Sequence, residues 1–168
     1  MAQLAPLNGM VAGDFNNDGN LDVAISGNDY GNEVSAGRYD AMNGIVLLGE
    51  GNGNFKAQTI LQSGLFINGD GKSLIGLQGV GNNYFLAATQ NRGALKLFKM
   101  RKNDKIIKAN ATDAYAIIQF KNGKTRKQEF YYGTSYLSQS SRFLNVDENT
   151  VNSLRIFNNK GESRTVIF

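Results

Sequence analysis

The chain has 168 residues, 18 Lys and Arg against 14 Asp and Glu for a net charge of +4, and neither cysteine nor histidine. That length leaves room for one domain or two small ones, each with a genuine core. Without cysteine there is no disulfide, thiolate zinc site or cysteine nucleophile, and without histidine Ser-His-Asp chemistry and most zinc hydrolysis are excluded. No segment approaches the roughly 20 apolar residues that a membrane helix requires. The N-terminus has neither the basic start nor the apolar run of an export signal. Twenty glycines, one proline and short apolar runs between turn residues predict an all-β protein without long amphipathic helices.

The first predicted strand contains Met10-Val11-Ala12, and the second is the β-branched run Leu21-Asp22-Val23-Ala24-Ile25-Ser26. Between them Asp14, Asn16 and Asp18 place side-chain oxygens at alternate positions, Gly19 permits a sharp turn, Asn20 offers its main-chain carbonyl, and Asp22 closes the set. A hard divalent cation takes six to eight oxygens at roughly 2.3–2.6 Å, and this spacing supplies such a set. Three carboxylates favour Ca2+ over the stricter octahedron of magnesium. The alternative is an ordinary polar turn, which uses the same residue types. An EF-hand does not fit, because the twelfth loop position carries Ile25 rather than glutamate, and strands rather than helices flank the loop.

Ala12 to Val23 reads Ala-Gly-Asp-Phe-Asn-Asn-Asp-Gly-Asn-Leu-Asp-Val. This resembles the FG-GAP or VCBS repeat, the blade unit of β-propellers such as the integrin α-chain head. The resemblance implies that Asp14, Asn16, Asp18, Asn20 and Asp22 hold calcium. Gly44 to Phe55, a strand, a glycine-rich turn and an aromatic, matches the close of such a repeat. A second, degenerate copy follows, with strands at Gly69–Ile75, Tyr84–Thr89 and Gly93–Phe98 and an acid-free turn at Gly79–Asn83. Blade 1 spans about 1–62 and blade 2 about 63–99. Two blades cannot close a ring. The chain is therefore expected to be a fragment of a longer propeller, or its free sheet edges to pack on the second module or on another copy by edge-mediated self-association.

Several features have competing readings. Gly71-Lys72-Ser73 hints at a phosphate loop, but the glycine required five residues earlier is Phe66. The insertion 27–43 is long for a strand connection. Within it Asp29, Glu33 and Asp40 extend the calcium site or build another, while Arg38 and Asp40 are read as an ion pair pinning the loop. Asp40 and Glu50 are the carboxylates that a polysaccharide-acting enzyme would need, although two acids are a common coincidence.

Charge divides the chain. Residues 1–91 hold three basic and eight acidic side chains, and residues 92–168 hold fifteen and six. That shift places a module boundary near the charged junction Lys99–Lys105, giving 1–99 and 100–168. The basic half could attract nucleic acid through phosphate contacts, anionic surface polymers, or the acidic first half itself. In the second module Ala114–Phe120, the Asn122-Gly123 turn and Thr125–Tyr131 form a predicted hairpin. Gly133-Thr134-Ser135-Tyr136-Leu137-Ser138-Gln139-Ser140 and Val151–Gly161 resemble the ASPIC/UnbV domain, a small β sandwich or barrel that follows VCBS repeats. The glycine-rich stretch of that family is replaced by Leu144-Asn145-Val146-Asp147, and its Trp-Pro turn by Phe157-Asn158-Asn159-Lys160-Gly161. Tyr136, Ser138 and Gln139 are candidate ligand contacts, ring on sugar face and polar groups on hydroxyls. The alternative is that Tyr136 and Leu137 pack while the serines satisfy turn backbone. Both resemblances imply a non-catalytic, calcium-stabilised module outside the cytoplasm (extracellular, cell-surface or periplasmic) that binds a protein or glycan.

Overall fold

Short β-branched and aromatic runs, each closed by Gly, Asn or Asp, fold into strands throughout the computed structural model, which describes residues 4–101 and 104–168. Lys102 and Asn103, in the middle of the predicted junction, lie outside the described residues. The first sheet is an antiparallel meander in chain order: β1 (Leu7–Gly13), β2 (Asp22–Gly27), β3 (Ile45–Gly49) and β4 (Phe55–Gln58). A one-turn helix, Ile60–Ser63, follows, its start closed by reciprocal bonds between Thr59 and Gln62. The second sheet repeats the meander with β5 (Gly71–Gln78), β6 (Tyr84–Gln90) and β7 (Lys96–Lys99).

Both flanks of the acidic loop are thus strands, as expected. The two meanders pack face to face around Val11, Ala24, Val46, Leu74, Leu86 and Ala88. They meet most closely where β1 passes β5: a Cβ on Gly9 would collide with Leu74 N and Ser26 Oγ. Only glycine allows that approach.

In the C-terminal part β8 (Lys105–Lys108) pairs with β11 (Phe143–Val146), and β9 (Asp113–Phe120), β10 (Thr125–Glu129), β12 (Val151–Asn158) and β13 (Ser163–Ile167) form a sheet in the order β10-β9-β12-β13. All pairings are antiparallel, and no sheet closes into a barrel. The C-terminal sheet therefore faces the two-stranded ribbon as a layer, with Ile118, Leu144, Val146 and Leu154 between them. Strand alternation gives the ribbon two apolar faces. Ile107 and Leu144 enter the C-terminal core, while Ile106 and Phe143 lie on the N-terminal one, where Phe143 meets the edge of Tyr84 at 5.0 Å between ring centroids.

The free edges of β1 and β5 are partly taken by the chain itself. Ser135 Oγ accepts from Met10 N at 3.2 Å, Ser140 Oγ accepts from Gly76 N at 2.9 Å, and Ser141 N donates to Gly76 O at 2.8 Å. Of the alternatives for those edges, packing on the C-terminal part is the arrangement seen here. Unpaired strand amides need such partners wherever water is excluded.

Candidate functional site

The loop between β1 and β2 is built by its own polar side chains. Asp14 Oδ1 accepts from Asp18 N at 3.1 Å and its Oδ2 from Gly19 N at 3.0 Å. Asn16 Oδ1 also takes Asp18 N at 3.1 Å, and Asp18 Oδ1 takes Asn20 N at 2.7 Å. Asn16 Nδ2 donates to Asp18 Oδ2 at 3.0 Å. Two residues turn left-handed, Asn17 at φ 65° and Gly19 at φ 88°, as a loop folding back on its first acid requires. The backbone amides thus point inward at carboxylates, which explains why short oxygen-bearing side chains occupy alternate positions.

Asp22 is fully buried. Its Oδ2 accepts from Phe15 N at 2.7 Å and its Oδ1 from Gly49 N at 2.9 Å, tying the loop to the end of β3. Burial pushes its carboxyl above the ordinary range; the two amides oppose this, and the nearby charges of Asp14 and Asp18 add to it.

The structure brings Asp14, Asn16, Asp18, Asn20 and Asp22 into one loop. Among the described residues no three carboxylates form a ready-made metal cluster, here or elsewhere. By chemistry the donors fit a hard cation, since all are oxygens and Asp22 carries a desolvated charge beside two others.

A cation from the chain itself already touches this loop. Arg126, on β10, places Nη1 3.0 Å from Asp14 Oδ2, 2.9 Å from Gly19 O and 3.2 Å from Asn20 O. Phe120, on the neighbouring strand, lies under the guanidinium with its ring centroid at 5.3 Å and against Gly19. Arg126 and Phe120 were not legible as site residues. The run Thr125-Arg126-Lys127-Gln128-Glu129 has no apolar residue to mark its inward face, and the only sequence signal was the charge split between the two halves of the chain. Asp14 lines two clefts beside the loop. One, of about 380 Å3, lies between β1 and β10 and includes Met10, Lys127, Glu129 and Tyr131. The other, of about 590 Å3, is floored by Leu48, Leu86, Leu97 and Phe98.

The acids of the insertion do not extend this loop, because they gather at the opposite end of β2. There buried Asn28, left-handed at φ 83°, donates to Asp40 Oδ1, Met42 O and Gly69 O. The expected Arg38–Asp40 ion pair is replaced: Tyr30 OH donates to Asp40 Oδ1 at 2.7 Å, and Arg38 lies over the Tyr30 ring at 4.8 Å. Asp29 bridges to Tyr39 and accepts from Gly31 N. Glu33 closes the turn to Ala36 and Gly37 through its main-chain oxygen.

Lys72, the residue of the false phosphate loop, lies on β5 with Nζ 2.6 Å from Asp70 Oδ1 and 3.4 Å from Asp29 Oδ1. Burial works against its charge, yet Asp70 and Asp29 hold its pKa above the ordinary value. Glu50 is exposed in the turn after β3, beyond Gly49. The pair Asp40 and Glu50 is therefore divided between opposite ends of the first sheet, unlike the facing carboxylates of a glycosidase.

The segment holding Tyr136, Ser138 and Gln139 is a tight turn. Ser138 is buried, with its hydroxyl on Tyr136 O at 2.7 Å and its amide on Ser135 O at 3.0 Å. The serines do satisfy backbone, here and on β1 and β5. Tyr136 and Leu137, however, do not pack: they are 61 % and 75 % exposed, with Leu137 left-handed at φ 47°. Gln139 is exposed beside them. No protein-family model matches the chain, and no curated protein matches it.

Proposed function

We infer that the chain is a non-catalytic recognition module whose β1–β2 loop binds calcium through Asp14, Asn16, Asp18, Asp22 and the carbonyl of Asn20. One observation carries this reading: a fully buried Asp22 borne on two amides while the charges of Asp14 and Asp18 press on it. A bound dication would supply the missing counter-charge and fix the loop in one conformation. The meander sheets, with the loop at the β1–β2 connection, support kinship with FG-GAP or VCBS blades. The second sheet lacks the acids at its equivalent turn and belongs to the same reading as a degenerate blade, followed by an ASPIC/UnbV-like part.

The exposed tip of Tyr136, Leu137 and Gln139, and the clefts flanking the loop, are the surfaces offered to a protein or glycan outside the cytoplasm. Sites of extracellular type work at about 0.1–1 mM calcium. The test is the thermal midpoint with calcium, with magnesium and with chelator, for the parent and for Asp18→Ala. A calcium-specific rise that the substitution abolishes supports the reading. At an ion concentration 100 times Kd the expected gain is about 2.7 kcal/mol. Equal midpoints throughout return the loop to a polar turn.

A further inference from the structure

The geometry points to Arg126 as a tethered cation that competes with an external dication for the oxygens of the β1–β2 loop, so that ion loading and docking of β10 oppose one another. This rests on the reading of that loop as a calcium site. Two of the five proposed ligands, Asp14 and the carbonyl of Asn20, are the acceptors that Arg126 Nη1 holds at 3.0 and 3.2 Å. A calcium ion on those oxygens and a guanidinium at hydrogen-bond distance from the same oxygens repel each other. Each lowers the affinity of the other, and the coupling is reciprocal.

The arginine is not a casual surface contact. It comes from 112 residues away, its side chain is 12 % exposed against 9 % for Asp14, and Phe120 backs it. Its Nε is buried and has no hydrogen-bond partner among the described residues. That unpaired donor makes the docked position one the chain can leave without losing a full guanidinium network. Release would be local. Ser135 on Met10 and Ser140 and Ser141 on Gly76 hold the C-terminal part away from the loop, Asn17 with Asn145 on Asp104 ties the loop to β11 independently of Arg126, and Phe120 stays seated in the C-terminal core. The edge strand β10 carrying Arg126 is the piece that responds.

The test measures calcium affinity by titration calorimetry for the full chain and for Arg126→Gln, with Lys124→Gln as control. Lys124 is exposed in the turn between β9 and β10 and lines neither cleft, so the control removes the same charge without the contact. Competition predicts calcium binding on the order of tenfold tighter in Arg126→Gln, a change of about 1.4 kcal/mol, and within twofold of the parent in Lys124→Gln. In the parent itself, hydrogen exchange along β10, Thr125–Glu129, should accelerate when calcium is added, a readout independent of any variant's folding. Binding to Arg126→Gln alone would uphold the competition while overturning calcium binding by the native loop. Equal affinity in parent and Arg126→Gln, with unchanged exchange, would overturn the competition and leave the calcium site standing. Weaker binding in Arg126→Gln would also overturn it, and failure of both proteins to bind would overturn both readings.

Discussion

Asp22 and Asp113 are the same residue in nearly the same setting, and they differ in where the counter-charge comes from. Each begins a strand after a turn, and each is almost entirely buried, at 0 % and 3 % exposure. Each caps a local amide, Phe15 N for Asp22 and Asn110 N for Asp113, both at 2.7 Å. Asp113 is met by Arg164 in a two-pronged pair, Nη1 on Oδ1 and Nη2 on Oδ2, both at 2.6 Å. Hydrogen bonds from Arg164 pull its carboxyl below the ordinary range against the pressure of burial. Among the described residues no ion pair reaches Asp22, and burial pushes it the other way. The C-terminal sheet thus carries its own cation, whereas the N-terminal loop has a desolvated carboxylate served only by amides, with Arg126 one acid away on Asp14. Buried carboxylates need compensation, and the contrast is the physical ground for expecting an ion from outside at one place and not at the other.

Truncating the two acids separates them most. Asp22→Ala leaves the buried amide of Gly49 and the half-buried amide of Phe15 without acceptors, at about 1–3 kcal/mol for the first and toward the low end of that range for the second, less the relief of a strained charge. A net loss of about 3 kcal/mol is expected, read as a lower urea midpoint at constant slope. Asp113→Ala strands one amide and a guanidinium that is 38 % exposed and therefore reaches water, so about 2 kcal/mol is expected. If Asp113→Ala proved the more damaging, the amide network around Asp22 would not be what holds the loop to β3.

The strands around both acids were legible because their residues are β-branched and their turns are marked. Val23 to Ser26 and Ala114 to Phe120 announce themselves, and Asn122-Gly123 fixes the hairpin between β9 and β10. The loop was legible for a related reason: alternate oxygens have few uses. Its partner was not. Arg126 reaches Asp14 across 112 residues, and nothing local in a polar strand says which of its alternate faces turns inward. The short strands Lys105–Lys108 and Ser163–Ile167 went unread because lysines bracket Ile106-Ile107 and serine and arginine open the last strand. The Arg38–Asp40 pairing was read from sequence proximity, but Tyr30 OH at 2.7 Å and buried Asn28 Nδ2 at 3.1 Å take Asp40 Oδ1 instead.

Glycine substitution probes the same two regions with a smaller effect. Gly19 and Gly123 have nearly equal positive φ, 88° and 85°, so an alanine at either adds about 1–2 kcal/mol of left-handed strain. A Cβ on Gly19 would in addition meet the Phe120 ring at 3.4 Å, an ordinary van der Waals distance, while Gly123 faces open space. Gly19→Ala is therefore expected to cost a few tenths of a kcal/mol less than Gly123→Ala in urea denaturation, the methyl gaining contact on the ring. A larger loss at Gly19 would mean that the ring must shift to admit the methyl.

The mildest contrast is in acid. Asp113 has its native pKa lowered from 3.8 by the hydrogen bonds of Arg164 first, then by the Asn110 amide and the charges of Arg164 and Arg142, against burial. Between that lowered value and 3.8 the unfolded chain binds the proton that the native chain refuses, so stability rises with pH across this window. The contribution is fully present above the unfolded value and is lost as pH falls through the native one. Asp113→Asn should therefore flatten the dependence of unfolding free energy on pH below about pH 4, leaving the parent and the variant parallel above about pH 5. Some slope remains in the variant, because Asp29, held down by the Gly31 amide, and Glu129, held down by Lys127, act with the same sign. Urea denaturation at a series of acid pH values makes the comparison. Profiles that stay parallel down to the acid limit would show that Arg164 orients Asp113 without stabilising its charge, and the two buried aspartates would then differ in geometry alone.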